Sequence, residues 1–304
     1  RDLPFSFVDD KVFVGNSLLG LTDLRQIRKM HIDPSRVSNE QQFDLFEVDI
    51  DAVIRKAVDL RDRLATEVDQ DDPARTSVAK QRQLTELRRV TATLRQIADG
   101  VVAAGLPLEG KPGRALDDAY DNLRLAVKQA HPAPGEDEAN QDHLNRILKR
   151  GLTPIVETDS ESWQPLHWIL EAPDVLVEYG GFDAVIGNPP FLAGKKIARA
   201  NGTNLEKWMK LDLQGQRGSA DLCAHFIRRA WLLLADQGSL GLIATDRIGQ
   251  GDTAAMSTAA LGNRGLLYRA VSRFRWPGAA STGAAIVWIA KLPESDSAIR
   301  PNLD

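Results

Sequence analysis

One cysteine, Cys223, occurs in 304 residues. That excludes a disulfide framework and a cysteine-based zinc site. The five histidines (His31, His131, His143, His167, His225) are scattered and show no ligand spacing. A structural or surface role is expected of each, and no metal centre. No apolar run approaches the roughly 20 residues that span a bilayer, and no secretory signal is visible, so a cytoplasmic protein is expected. There is no Gly-Lys-Ser/Thr phosphate loop and no nuclease-like cluster of carboxylates. Charge of one sign is also scarce: the formal net charge is −4, which does not advertise a nucleic-acid partner.

What is present is ordinary in total and uneven in place. Hydrophobic residues make up 43% and charged residues 26%, as in a globular chain long enough for one large or two modest domains. Residues 191–234 hold eight Lys or Arg against three acids, and residues 261–291 hold Arg264, Arg269, Arg273, Arg275 and Lys291 with no acid. Such stretches suit either a solvated face or a phosphate backbone.

The most informative stretch is Gly181 to Phe191, Gly-Phe-Asp-Ala-Val-Ile-Gly-Asn-Pro-Pro-Phe. Its apolar run reads as a buried parallel strand over 183–187, and the loop that follows sits where open α/β sheets bind ligands. Pro189 and Pro190 fix two φ angles and remove two N–H donors, leaving the carbonyls of Asn188 and Pro189 free of any ladder. Methyl transfer to an amino group conjugated with a ring needs such an arrangement. Two acceptors, the Asn188 side-chain oxygen and the Pro189 carbonyl, would turn that nitrogen's lone pair toward a donor methyl. Phe191 would stack on the ring. The plainer reading is a Pro-rich turn after a strand. A chance Asn/Asp/Ser-Pro-Pro-aromatic match in a chain this long has a probability of about one in a hundred.

This segment resembles motif IV of amino-group DNA methyltransferases, specifically the adenine-modifying (N6) class. The resemblance continues in Pro165-Leu166-His167-Trp168 and Glu171-Ala172-Pro173-Asp174-Val175, which look like the lead-in of type IIG restriction–modification methylases and of phage-defence methylases such as those of BREX and DISARM. Gly218-Ser219-Ala220-Asp221-Leu222 with Phe226 resembles motif V, and Gly15-Asn16-Ser17-Leu18-Leu19 resembles motif III. The resemblance implies S-adenosylmethionine as cofactor, with Asn16, Ser17 and Asp221 beside it, and double-stranded DNA with a flipped adenine as substrate. It implies Asn188, Pro189, Pro190 and Phe191 as the catalytic loop, with other defence-system subunits as candidate partners. Lys195, Lys196, Arg199 and Arg217 would meet the DNA backbone. Turn-forming or helix-starting roles for Asn16 and Asp221 stay open, as does a solvated face for the lysines.

The expected fold is α/β: a Rossmann-like, doubly wound, mostly parallel sheet, forming part of a methyltransferase domain interrupted by an all-helical insertion. Residues 1–45 are read as the first part of the core, 46–150 as the insertion, and 151–304 as the second part with the catalytic loop. Within these, 11–15 read as a strand, 175–179 as a strand or edge segment, 219–235 as a helix, and 240–245 and 284–290 as strands. Phe274 and Trp276 fall on a loop, as candidates for a second wall around a flipped base or as core. The family's Gly-rich cofactor loop is not found, so this chain alone is expected to be inactive and to bind cofactor poorly. A protein glutamine methyltransferase, which uses a similar loop, and a non-catalytic DNA- or partner-binding module of a defence complex remain alternatives.

Overall fold

The computed structural model describes residues 11–37, 49–66, 73–133, 135, 138–213, 218–275 and 283–293. By packing they fall into two units, residues 1–153 with 162–174, and residues 154–161 with 175–304.

The first unit is helical because its apolar residues recur at three- and four-residue spacing. Helix α1 covers Leu24–Arg28, α2 Ile50–Thr66 and α3 Pro73–Gly105. Helices α4 (Arg114–Ala130), α5 (Asp142–Leu152) and α6 (Trp168–Glu171) follow. Pro73 opens α3 at a position where its missing N–H costs nothing. The long α3 packs against α2, α4 and α5, burying Leu94, Ile97 and Val101 with Leu123, Val127 and Leu144. Helices α2 to α5, within and just beyond the 46–150 expected to be helical, therefore form a bundle.

Residues 11–15 do not form a strand. Around them, Asn16 makes an isolated parallel bridge with Pro165, Asn16 N–H donates to the Gln164 carbonyl, and Leu166 N–H donates to the Asn16 carbonyl. Buried His167 fixes this junction. Its Nδ1 accepts from Leu21 N–H at 3.2 Å, and its Nε2 donates to Asp99 of α3 at 3.0 Å. Gly20 is forced at this crossing, since a Cβ there would lie 1.5 Å from the Leu166 carbonyl oxygen. The Asn16 segment thus shares a unit with the bundle and with 162–174, a division different from boundaries at 45 and 150.

The second unit holds the sheet. Strand β1 covers Phe182–Gly187, followed by helices α7 (Gly194–Asn201), α8 (Thr203–Met209) and α9 (Leu222–Leu233). Strand β2 covers Leu234–Thr245, α10 Gly251–Met256, β3 Gly265–Arg275 and β4 Gly283–Lys291. The order is β1-β2-β4-β3. β1 runs parallel to β2, while β2–β4 and β4–β3 are antiparallel. The α/β class holds, but the sheet is mixed rather than mostly parallel. The seven residues between β3 and β4 are too few for the crossover that parallel pairing needs.

Alternate residues of β2 (Leu240, Leu242, Ala244) and β4 (Ala285, Val287, Ile289) meet Cys223, Ile227 and Ala230 of α9 in one core. β1 stands at the sheet edge and is not buried on both faces: Ile186 is 85% exposed. Residues 174–178 form a π-helical turn, not a strand. Phe274 lies in β3, not on a loop, and Trp276 lies outside the described residues.

Candidate active site

The β1–β2 ladder stops at Gly187, opposite Leu242. Asn188 follows and is exposed, Pro189 is buried, Pro190 is exposed, and Phe191 is 37% exposed. A carboxamide and an aromatic ring are therefore presented to solvent by a loop whose two prolines keep it out of the sheet. Asn188 makes no side-chain hydrogen bond among the described residues. Such a loop can accept hydrogen bonds from an amino group and stack a planar ring.

With no N–H at Pro189 or Pro190, the loop is held at its ends. Past Phe191, the Leu192 carbonyl accepts from Leu222 N–H at 2.9 Å. Gly194 N–H, opening α7, donates to Asp221 Oδ1 at 3.1 Å. Asp221 Oδ2 accepts from the Thr245 hydroxyl, at the end of β2, at 2.9 Å. Asp221 N–H donates to Thr253 Oγ1 at 3.1 Å, and neighbouring Ser219 N–H to Asp252 Oδ2 at 2.8 Å. Gly194 is the residue the crossing demands: a Cβ there would come within 2.5 Å of the Ser219 and Ala220 carbonyl oxygens.

The sequence assigns Asp221 to the cofactor. In the structure it is 4% exposed and both its oxygens serve the protein itself. It occupies the N-cap position of α9 yet makes no cap bond. Of its partners, Thr253 carries no motif signal, and Thr245 was marked only as the last residue of the strand read over 240–245. Cys223 next door is buried, and burial pushes its thiol up, which keeps it protonated and inert.

Lys195, Lys196 and Arg199 lie on the exposed side of α7, opposite buried Ile197. Arg217 lies outside the described residues. Arg228 and Arg229, which raise the basic count of this stretch, are buried within α9 and cannot meet a phosphate backbone there. In the later stretch, Arg264 pairs with Asp236 at 2.5 Å, and Lys291 donates to the Leu234 carbonyl at 2.6 Å.

Asn16 and Ser17 belong to the first unit. The Asn16 side-chain oxygen accepts from Leu18 N–H at 3.0 Å, a local turn. Its amide nitrogen makes no hydrogen bond among the described residues. The Ser17 carbonyl accepts from the Trp168 indole at 3.3 Å. A cavity of about 560 Å³ in this unit is lined by Phe13, Arg61, Leu87, Arg95, Leu170 and Glu171 among others, none of them a predicted site residue. Among the described residues, no group of three or more His, Cys, Asp or Glu could hold a metal ion, and no helix is long and apolar enough to cross a membrane.

The exposed Asn-Pro-Pro-Phe loop follows a strand of a mixed α/β sheet, and comparison with known proteins supplies the class. The chain belongs to the Eco57I restriction-modification methylase family, whose profile matches residues 44–262, well over half of it. The family is one of restriction-modification methylases, enzymes that draw their methyl group from S-adenosylmethionine. Over 138 residues the chain is 28% identical to a protein of Methanocaldococcus jannaschii provisionally named a type II restriction enzyme and methyltransferase. That match takes in 45% of this chain and 11% of the relative, so the chain spans about a tenth of the relative's length. Among solved structures, one provisionally described as a class I S-adenosylmethionine-dependent methyltransferase of Listeria monocytogenes is 13% identical. It covers 95% of this chain and 90% of that one with a TM-score of 0.32, too low a likeness to support an argument.

Proposed function

We propose that this chain carries the acceptor site of an adenine-specific DNA methyltransferase of a restriction–modification or phage-defence system. The carrying observation is the exposed Asn188 and Phe191 on a proline-locked loop at the carboxyl end of β1. The Asn188 side-chain oxygen and the Pro189 carbonyl take the two N–H bonds of the adenine amino group, which turns its lone pair toward the methyl donor. Phe191 stacks on the base after it leaves the helix. Lys195, Lys196 and Arg199 on the exposed side of α7 face the phosphate backbone, with Arg217 a further candidate.

S-adenosylmethionine supplies an electrophilic methyl group. Asn16 suits a contact to its adenosyl part as a donor, because its oxygen is already taken by Leu18 N–H and its amide nitrogen is not. Ser17 adds a hydroxyl beside it. The test uses the full-length protein with methyl-labelled S-adenosylmethionine and adenine-containing DNA, followed by digestion and resolution of the nucleosides. Label in N6-methyladenine is expected. Label in protein glutamine, or none while the cofactor demonstrably binds, would contradict the proposal in favour of a protein-modifying enzyme or a non-catalytic module.

A further inference from the structure

We infer that Asp221 is a positioning residue that sets the Asn188–Phe191 loop, and that it acts by bracing the loop's far end against the end of β2. The inference rests on the methyl-transfer reading of that loop.

Four observations meet at this carboxylate. It is buried, and a buried carboxylate persists where its oxygens are hydrogen-bonded. It stands at the start of α9 but leaves the first turn of its own helix uncapped, forgoing the usual use of an acid there. One oxygen instead takes Gly194 N–H, three residues beyond Phe191, and the other takes the Thr245 hydroxyl. The Leu222 N–H to Leu192 carbonyl bond runs beside it. β1 and β2 are parallel neighbours, so the loop leaves the sheet at Gly187 and returns to a carboxylate fixed on the adjacent strand's end. Between these two anchors the prolines supply no N–H donor. The orientation of Asn188 and Phe191 is therefore set by backbone stiffness, by the packing of buried Pro189 and by the return anchor. Displacing reacting groups by about 1 Å costs on the order of 100-fold in rate.

A merely structural buried acid would affect stability and leave the loop's chemistry alone. The test compares full-length wild type with Asp221→Ala, Asp221→Asn and Thr245→Val. Two quantities are read: hydrogen–deuterium exchange of peptides covering 188–197 and 283–291, and the kcat and KM of methyl transfer. Asp221→Ala and Thr245→Val are expected to raise exchange in 188–197 while 283–291 stays protected. They should lower kcat by roughly 10- to 100-fold with KM for S-adenosylmethionine little changed. Asp221→Asn retains an acceptor for Gly194, and its amide can donate to Thr245, so it should recover most of both. If Asp221→Ala fails to fold, Thr245→Val carries the comparison. Unaltered exchange in 188–197, or loosened exchange with an unchanged kcat, would overturn the inference. If wild type transfers no methyl group to DNA, the functional reading fails on its own, while the exchange pattern still decides whether the carboxylate holds the loop.

Discussion

Gly20 has no room for a methyl group. Its Cβ would sit 1.5 Å from the Leu166 carbonyl oxygen and 2.7 Å from His167 N. Gly20→Ala must push these backbones apart and break the bond from Leu21 N–H to His167. A loss of about 2 kcal/mol or more is expected from such overpacking with a lost buried hydrogen bond. A fall in the urea unfolding midpoint reads it; an unchanged midpoint would contradict the packing described. At this scale the sequence was informative where chemistry and conformation coincide. That 188–191 leave a strand as a loop could be read because two prolines after an apolar run leave few alternatives. Asp221 could not, because an acid at a helix start looks alike whether it caps the helix or, as here, turns away to brace a loop. Arg228 and Arg229 also misled, since formal charge does not reveal which side of a helix faces the core.

The helices were legible at the scale of elements because their apolar stripes persist: α2, α3 and α4 all fall within the 46–150 read as helical, and α5 runs two residues past it. β3 was not. Its Leu267, Tyr268 and Val271 are exposed on an edge strand bearing arginines, so the alternation that marks a half-buried strand is blurred. Residues 11–15 have strand composition but find no partner strand among the described residues, and composition alone cannot supply one. The helical unit should also be acid-sensitive. His31 is pushed below the ordinary histidine range by burial and by Arg124, against the opposing pull of Asp33 and Asp117, and His131 is pushed down by burial. His31 Nδ1 accepts from Asp33 N–H at 2.9 Å, which requires a neutral ring nitrogen. The unfolded chain therefore binds more protons than the folded one in mild acid. This stabilisation is full above the unfolded pKa of about 6.5 and is lost as pH falls through the lowered folded values. Unfolding midpoints at pH 7.5 and 5.5 should show the drop, and His31→Gln with His131→Gln should shrink it. An equal drop in the double variant would contradict the assignment.

For the whole molecule, two units share the chain, with the candidate acceptor loop and the exposed basic side of α7 in the same one. If that side meets DNA phosphates, replacing Lys195, Lys196 and Arg199 by alanine should weaken binding of the full-length protein across unrelated sequences. The slope of log K against log salt should shrink by roughly one for each phosphate that is no longer neutralised. Weakened binding at one sequence alone would point to base reading instead. The claim on which the account depends is that Asn188 orients the accepting nitrogen. Its most direct measurement is the single-turnover rate of methyl transfer by wild type and Asn188→Ala in the full-length protein, with cofactor and DNA both saturating. A fall of about 100-fold or more is expected, the scale for removing one acceptor aimed at the reacting atom, with cofactor affinity unchanged. A rate within a few-fold of wild type would contradict it.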